Sequence, residues 1–156
     1  MSIVSTPLRD YAVRDGESLC GPSLPFADIK LLAGADQTEG RYALTKFTCT
    51  LDVPRHIHKL EDESIYVLEG EVLVQIGGSN YELAPGGFVF MPRGVPHSVK
   101  VVSKQFIGLG VSSPGGTFDG IVLDLASLRE QGTEITPEIL EAVRNQHGFY
   151  VDRASS

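Results

Sequence analysis

The chain has 156 residues, 42% of them hydrophobic and 21% charged, with a formal net charge of −7. That length supports one domain, large enough to enclose a core and too small for two independent ones. The acidic balance, with no cluster of Lys or Arg, argues against nucleic acid or an anionic membrane as partner, and no apolar run approaches the ~18 residues that cross a bilayer.

In chain order, residues 1–24 read as an N-terminal arm with turn residues Gly16, Gly21 and Pro22 and at most one short strand. Residues 26–32 and 41–51 have strand patterning, joined by a polar loop over 34–40. An extended stretch containing His56 and His58 follows. Strands are then predicted at 64–68, 71–76, 80–83, 88–91, 97–102 and 104–111, with the Gly77-Gly78-Ser79-Asn80 stretch as a hairpin turn. Many short strands divided by the 17 Gly and nine Pro predict an all-β fold, a closed sheet or jelly roll that manages its edges by closure. The barrel is expected over 25–112 and a C-terminal extension of the same domain over 113–156. In that extension 123–130 is in helical register. Thr136 as N-cap, Pro137 at the first position and Gly148 as a cap predict a helix over 137–147, expected to lie across the outer face of the barrel or, as the alternative, over its mouth.

The start of the chain lacks the basic and apolar regions of a secretory signal, so a cytoplasmic location is expected. Cys20 and Cys49, far apart and outside any CxxC spacing, are expected to be reduced and buried.

The chemistry-bearing residues concentrate in two stretches. His56 and His58 are two apart, so on a strand both imidazoles leave one face, roughly 7 Å apart along the backbone. Glu63 opens the next apolar run, and His97 follows the rigid Pro92-Arg93-Gly94-Val95-Pro96 turn. Of four histidines in the chain, three fall in these stretches. Three imidazoles and one carboxylate suit a divalent transition metal, whereas Ca and Mg prefer mostly oxygen. Glu61 and Asp62 are neighbouring acids, read as a solvated loop face, and His147 as a surface residue near a helix end.

At these residues the chain resembles the cupin family. His56, His58, Glu63 and Gly70 fit the first cupin motif, Gly-x5-His-x-His-x4-Glu-x6-Gly, with Thr50 in place of the opening Gly. Gly86, Pro92, Gly94 and His97 fit the second, Gly-x5-Pro-x-Gly-x2-His-x3-Asn, with Val101 in place of the closing Asn. The stretch Ser113-Pro114-Gly115-Gly116-Thr117-Phe118-Asp119-Gly120 and the terminal helix are similar to those of small single-domain cupins of the quercetin 2,3-dioxygenase-like branch.

The resemblance implies a cupin jelly-roll β-barrel with a short C-terminal helical segment. It implies one metal ion held by His56, His58, Glu63 and His97, with Fe(II) favoured and Ni, Mn, Cu, Co or Zn compatible. It also implies a homodimer, a small-molecule substrate with dioxygen, and Glu63 as the catalytic group that accepts a substrate proton. A dioxygenase acting on a flavonol-like or other enolisable aromatic molecule is the leading expectation. A non-redox cyclase, isomerase or dehydratase and a non-catalytic metabolite-binding cupin are the alternatives. Among the aromatics on strands beside the motifs, Phe47, Tyr66, Phe90 and Phe106 are candidate substrate-binding residues, and Arg93 and Lys46 are the nearest cations.

Overall fold

A computed structural model of the protein describes residues 8–153. Ten strands and three helices follow in the order β1 (Ala27–Ala33), α1 (Ala35–Thr38), β2 (Ala43–Cys49), β3 (Val53–His58), β4 (Asp62–Glu69), β5 (Val72–Ile76), β6 (Ser79–Leu83), β7 (Phe88–Met91), β8 (His97–Val101), β9 (Phe106–Ser113), α2 (Phe118–Glu130), α3 (Pro137–Gln146) and β10 (Phe149–Val151). The strands form two antiparallel sheets, ordered β1-β2-β9-β4-β7 and β10-β3-β8-β5-β6. This is the expected jelly roll with short C-terminal helices.

Alternation along each strand decides what enters the space between the sheets. On β4, Ile65 and Val67 point in; on β7, Val89 and Met91; on β5, Val72 and Val74; on β8, Val99. Together with Phe106 they form one buried cluster. The same alternation sends Tyr66 and Phe90 outward, where they are 45% and 52% exposed. The assignment of these two residues to the substrate wall is therefore corrected: both stand on the outer face of the first sheet, next to Phe88.

Two glycines of the motif pattern are conformational requirements. Gly70 and Gly86 have φ of +87° and +89°, a region that costs other L-residues. A Cβ at Gly70 would also fall on the Gln105 carbonyl oxygen.

Several local expectations shift. The loop over 34–40 holds the one-turn helix α1, and α2 begins at Phe118, five residues before the helical register was expected. The short strand β10 was not anticipated; it pairs Phe149 with His58 and Val151 with His56. In the arm, residues 1–7 lie outside the described residues. From residue 8 to 24 it contains no strand and runs beside β1, with the Tyr11 hydroxyl donating to the Leu32 carbonyl at 2.6 Å and the Leu31 amide to Ser18 Oγ at 2.9 Å.

α3 has the caps that were expected: the Thr136 hydroxyl accepts from the Ile139 amide at 3.3 Å, and Gly148 takes a positive φ of 75° just beyond the last turn. Of the two expected positions, it takes the alternative one, at the mouth. Ile139, Leu140 and Val143 pack against Ile121, Leu125 and Phe149, so α3 lies with α2 at the opening between the sheets and not across an outer face. His147 is correspondingly half-buried. Its Nε2 is 2.7 Å from Asp124 Oδ2 on α2, and its ring fills the space beside Gly120, where a side chain would collide with it.

Among the described residues, no helix is long and apolar enough to cross a membrane.

Candidate metal centre

Two strands of one sheet and one of the other bring His56, His58, Glu63 and His97 together, with one ligand atom from each within 4.8 Å of all the others. β3 supplies His56 and His58 from the same face. The β3–β8 pairing sets His56 opposite His97. β4, across the core, supplies Glu63. The irregular pairing between Val53 and His56 turns the Pro54 carbonyl toward the ring of His56, which re-aims that side chain.

Each imidazole is oriented through Nδ1. That of His56 faces the Pro54 carbonyl at 2.7 Å, that of His97 the Val95 carbonyl at 3.2 Å, and that of His58 Glu61 Oε1 at 2.8 Å. Carbonyl and carboxylate oxygens only accept here, so Nδ1 is the donor in each case and the Nε2 positions are left to converge. The Nε2 atoms of His56 and His58 are 3.1 Å apart, and Glu63 Oε2 is 3.0 Å from His58 Nε2 and 3.1 Å from His97 Nε2. All three imidazoles are buried, and the Glu63 side chain keeps 18% exposure toward a cavity.

The charge pattern follows from burial and crowding. Burial pushes His56 down to about 3, with the neighbouring His97 adding to the effect. For His58, burial works against the charged form but is outweighed by Glu63 and Glu61, and the group is pushed up to about 10. Glu63, against the influence of its own burial, is held well below the usual carboxylate range by His58 and His97. The proton between His58 and Glu63 therefore sits where a cation is favoured.

The donor set fits a metal. Ligand atoms this close are what four donors about 2.0–2.2 Å from one ion require, and three nitrogens with one carboxylate match the preferences of a first-row divalent metal.

Glu61 corrects an expectation. It is 1% exposed and is no part of a solvated face: besides Nδ1 of His58, its second oxygen accepts the Phe118 amide at 3.2 Å, so burial raises its pKa while the His58 hydrogen bond opposes the rise. Asp62 turns outward to Arg93, whose guanidinium is 3.0 Å away and holds Asp62 down to about 2. The three adjacent acids thus face three different partners. Lys46 likewise faces away, 3.1 Å from Asp15.

A cavity of about 420 Å³ opens beside His56, Glu63 and His97. Phe47 and Phe106 line it as expected, with ring centroids 5.3 Å apart at 69°. Cys49 also faces it, with its thiol pushed up to about 11 by burial. The sequence did not point to the other walls: Leu24 and Phe26 from the arm, Phe118 from α2, and Leu140 and Arg144 from α3. Phe149, on β10, stacks on the His56 ring at 4.4 Å and 9°. Phe118, the terminal helix and the Phe149 end had a signal only as parts of the tail stretch that carries the family resemblance.

The fold is a cupin-type jelly roll, and part of the chain is similar to the cupin domain. A model of the cupin domain matches residues 50–107, which contain both motifs and all four clustered side chains. Over 52 residues, 33% of this chain, it is 38% identical to quercetin 2,3-dioxygenase of Bacillus subtilis, and that match spans only 15% of the relative's length. It is 28% identical over 88 residues to an uncharacterized protein of Streptomyces coelicolor, covering 56% of this chain and 80% of that one. Among solved structures, KdgF from Halomonas sp. superposes with a TM-score of 0.60 over 69% of this chain and 96% of that chain at 17% identity, a likeness of fold.

Proposed function

We propose that this protein is a metal-dependent cupin enzyme, a dioxygenase acting on an enolisable aromatic small molecule. One observation carries the reading: the buried His56, His58, Glu63 and His97 cluster meets an apolar, aromatic-walled cavity along His56, Glu63 and His97. The partial sequence likeness to a quercetin 2,3-dioxygenase supports the choice of reaction class.

A divalent transition metal held by these four residues would supply a Lewis acid for a substrate hydroxyl or enol and, with Fe the favoured ion, a redox partner for dioxygen. The chain's own residues do the rest. His56, His58 and His97 are presented with Nε2 free for ligation because Pro54, Glu61 and Val95 hold their Nδ1 protons. Glu63 lines the cavity and accepts the proton of the substrate hydroxyl, returning it to the product. Phe47 and Phe106 receive the flat apolar body and exclude water. Both oxygen atoms of dioxygen enter the product, so no other oxidant or reductant is required.

The test is oxygen consumption with a flavonol and with simpler enolisable aromatics, paired with elemental analysis of wild type and His56→Ala. Oxygen uptake with about one metal per chain, both lost in the variant, is the expected result. Turnover that persists under argon would point instead to a non-redox cyclase, isomerase or dehydratase, and saturable binding without turnover to a metabolite-binding cupin. The expected homodimer is part of the same proposal; the exposed Tyr66, Phe88 and Phe90 offer it an apolar seam, and sedimentation velocity checks it.

A further inference from the structure

Arg144 is the cation of the cavity wall. It sits one helical turn after Leu140 on α3, and both side chains face the cavity. Its guanidinium carbon lies 4.9 Å from the centre of the Phe149 ring, and the same ring stacks on His56 at 4.4 Å. Phe149 is therefore a plate shared by His56 and the guanidinium, whose carbon lies no further from the centre of the His56 ring than those two distances combined.

No acidic side chain among the described residues pairs with Arg144. The acids of its neighbourhood are engaged elsewhere: Glu141 with Arg153, Asp124 with His147, Asp152 with Arg55, and Glu63 with His58 and His97. Asp52, the other acidic residue on the cavity wall besides Glu63, is exposed and accepts the Val101 amide at 2.9 Å. Arg144 is half-buried, and burial holds its pKa below the usual guanidinium range. A partly desolvated cation without a counter-charge is costly to keep, and the cost is relieved when an anion arrives. The planar fork of an arginine matches a carboxylate with two parallel hydrogen bonds. A phosphate dianion would call for further donors, and the rest of this wall is mainly apolar.

We infer that Arg144 binds the carboxylate of the substrate, which is an organic monoanion with an apolar or aromatic body long enough to reach from the metal centre past Phe149. Arg144 is thus a specificity-determining residue. The inference rests on reading the cavity as a substrate site, as proposed above, and is independent of which metal is bound.

The experiment is calorimetric titration with 3-phenylpropionate and its neutral counterpart 3-phenylpropanamide, on protein as purified and after chelator treatment. Wild type is expected to bind the acid roughly ten- to a hundredfold tighter than the amide in both preparations. Arg144→Gln should erase that preference while leaving amide affinity, metal content and circular dichroism unchanged. Arg144→Lys, which keeps the charge, should retain part of the preference and serves if the Gln variant does not fold.

Equal binding of acid and amide to wild type, a preference that survives Arg144→Gln, or no binding of either probe at millimolar concentration would overturn the inference. So would a preference that disappears on chelation, because the ion and not Arg144 would then hold the carboxylate. Failure of the metal-centre reading looks different: elemental analysis finds no metal while the Arg144-dependent preference for the acid persists.

Discussion

Nδ1 of His58 and the buried carboxylate of Glu61 stand 2.8 Å apart, and the other oxygen of that carboxylate accepts the backbone amide of Phe118 at the start of α2. One side chain therefore orients a candidate metal ligand and ties the helical segment to the barrel. A carboxylate can accept from both sides; an amide can accept with its oxygen only. Glu61→Gln is expected to set an N–H against either His58 or Phe118, lowering metal affinity about 10–100-fold and stability by ~1–3 kcal/mol. A competition titration against a chelator and a urea unfolding curve measure the two effects.

The metal-free protein should be most stable near pH 6.5. His58 titrates ordinarily at 6.5 but at about 10 in the fold, so between those values the native state binds more protons and stability falls as pH rises. His56 runs the other way: it is pushed down to about 3, so below 6.5 the unfolded state binds more protons and stability falls as pH drops. Glu63, held low in the fold, adds to the acid-side loss. Urea midpoints of chelator-treated protein across pH should peak between the two windows. His58→Gln should flatten the alkaline limb, weaken the Glu63 part of the acid limb and leave the His56 part in place.

Metal binding at pH 8 should release about one proton per ion, because His58 gives up the proton it shares with Glu63. Calorimetry in buffers of different ionisation enthalpy counts that proton, and no dependence on buffer would show that His58 is already neutral.

Gly70→Ala and Gly40→Ala separate two costs. Both positions have positive φ, 87° and 75°, but only at Gly70 would the added methyl meet backbone, whereas nothing lies within 4 Å at Gly40. Gly40→Ala is expected to cost about 1–2 kcal/mol from conformation alone, and Gly70→Ala more. Urea unfolding gives both values.

Phe90→Ser and Tyr66→Ser should leave ligand affinity of the cavity unchanged, while Phe47→Ala should alter it, because only Phe47 among the three lines the wall. Titration of the three variants with one aromatic ligand decides the matter. Weakened binding in the outer-face variants would place those rings at a site the monomer does not reveal.

The two outward aromatics also show what sequence could and could not convey. Strand positions and the four clustered residues were legible because turn residues punctuate the chain and the His and Glu spacings follow strand periodicity. The facing of β4 and β7 was not, since Ile65-Tyr66-Val67-Leu68 and Phe88-Val89-Phe90-Met91 are apolar on both sides and alternation gives no sign of which half is inside. Glu61 looked solvated within a run of acids; its burial depends on His58 and Phe118, which are brought to it by tertiary packing. Arg144 and Phe149 became site residues only when α3 and β10 docked beside β3, and no local pattern encodes that docking.

The ring of Phe47 rests in a groove on β9 where Gly108 and Gly110 have no side chains; a Cβ at either would come within 2.9 or 3.2 Å of it. Bulk at residue 108 and bulk at residue 47 therefore compete for one space. Homologues that gain a larger group on β9 should carry a smaller residue opposite it, and a laboratory library that varied either position singly would recover mostly misfolded clones, whereas varying the pair would reshape the floor of the cavity.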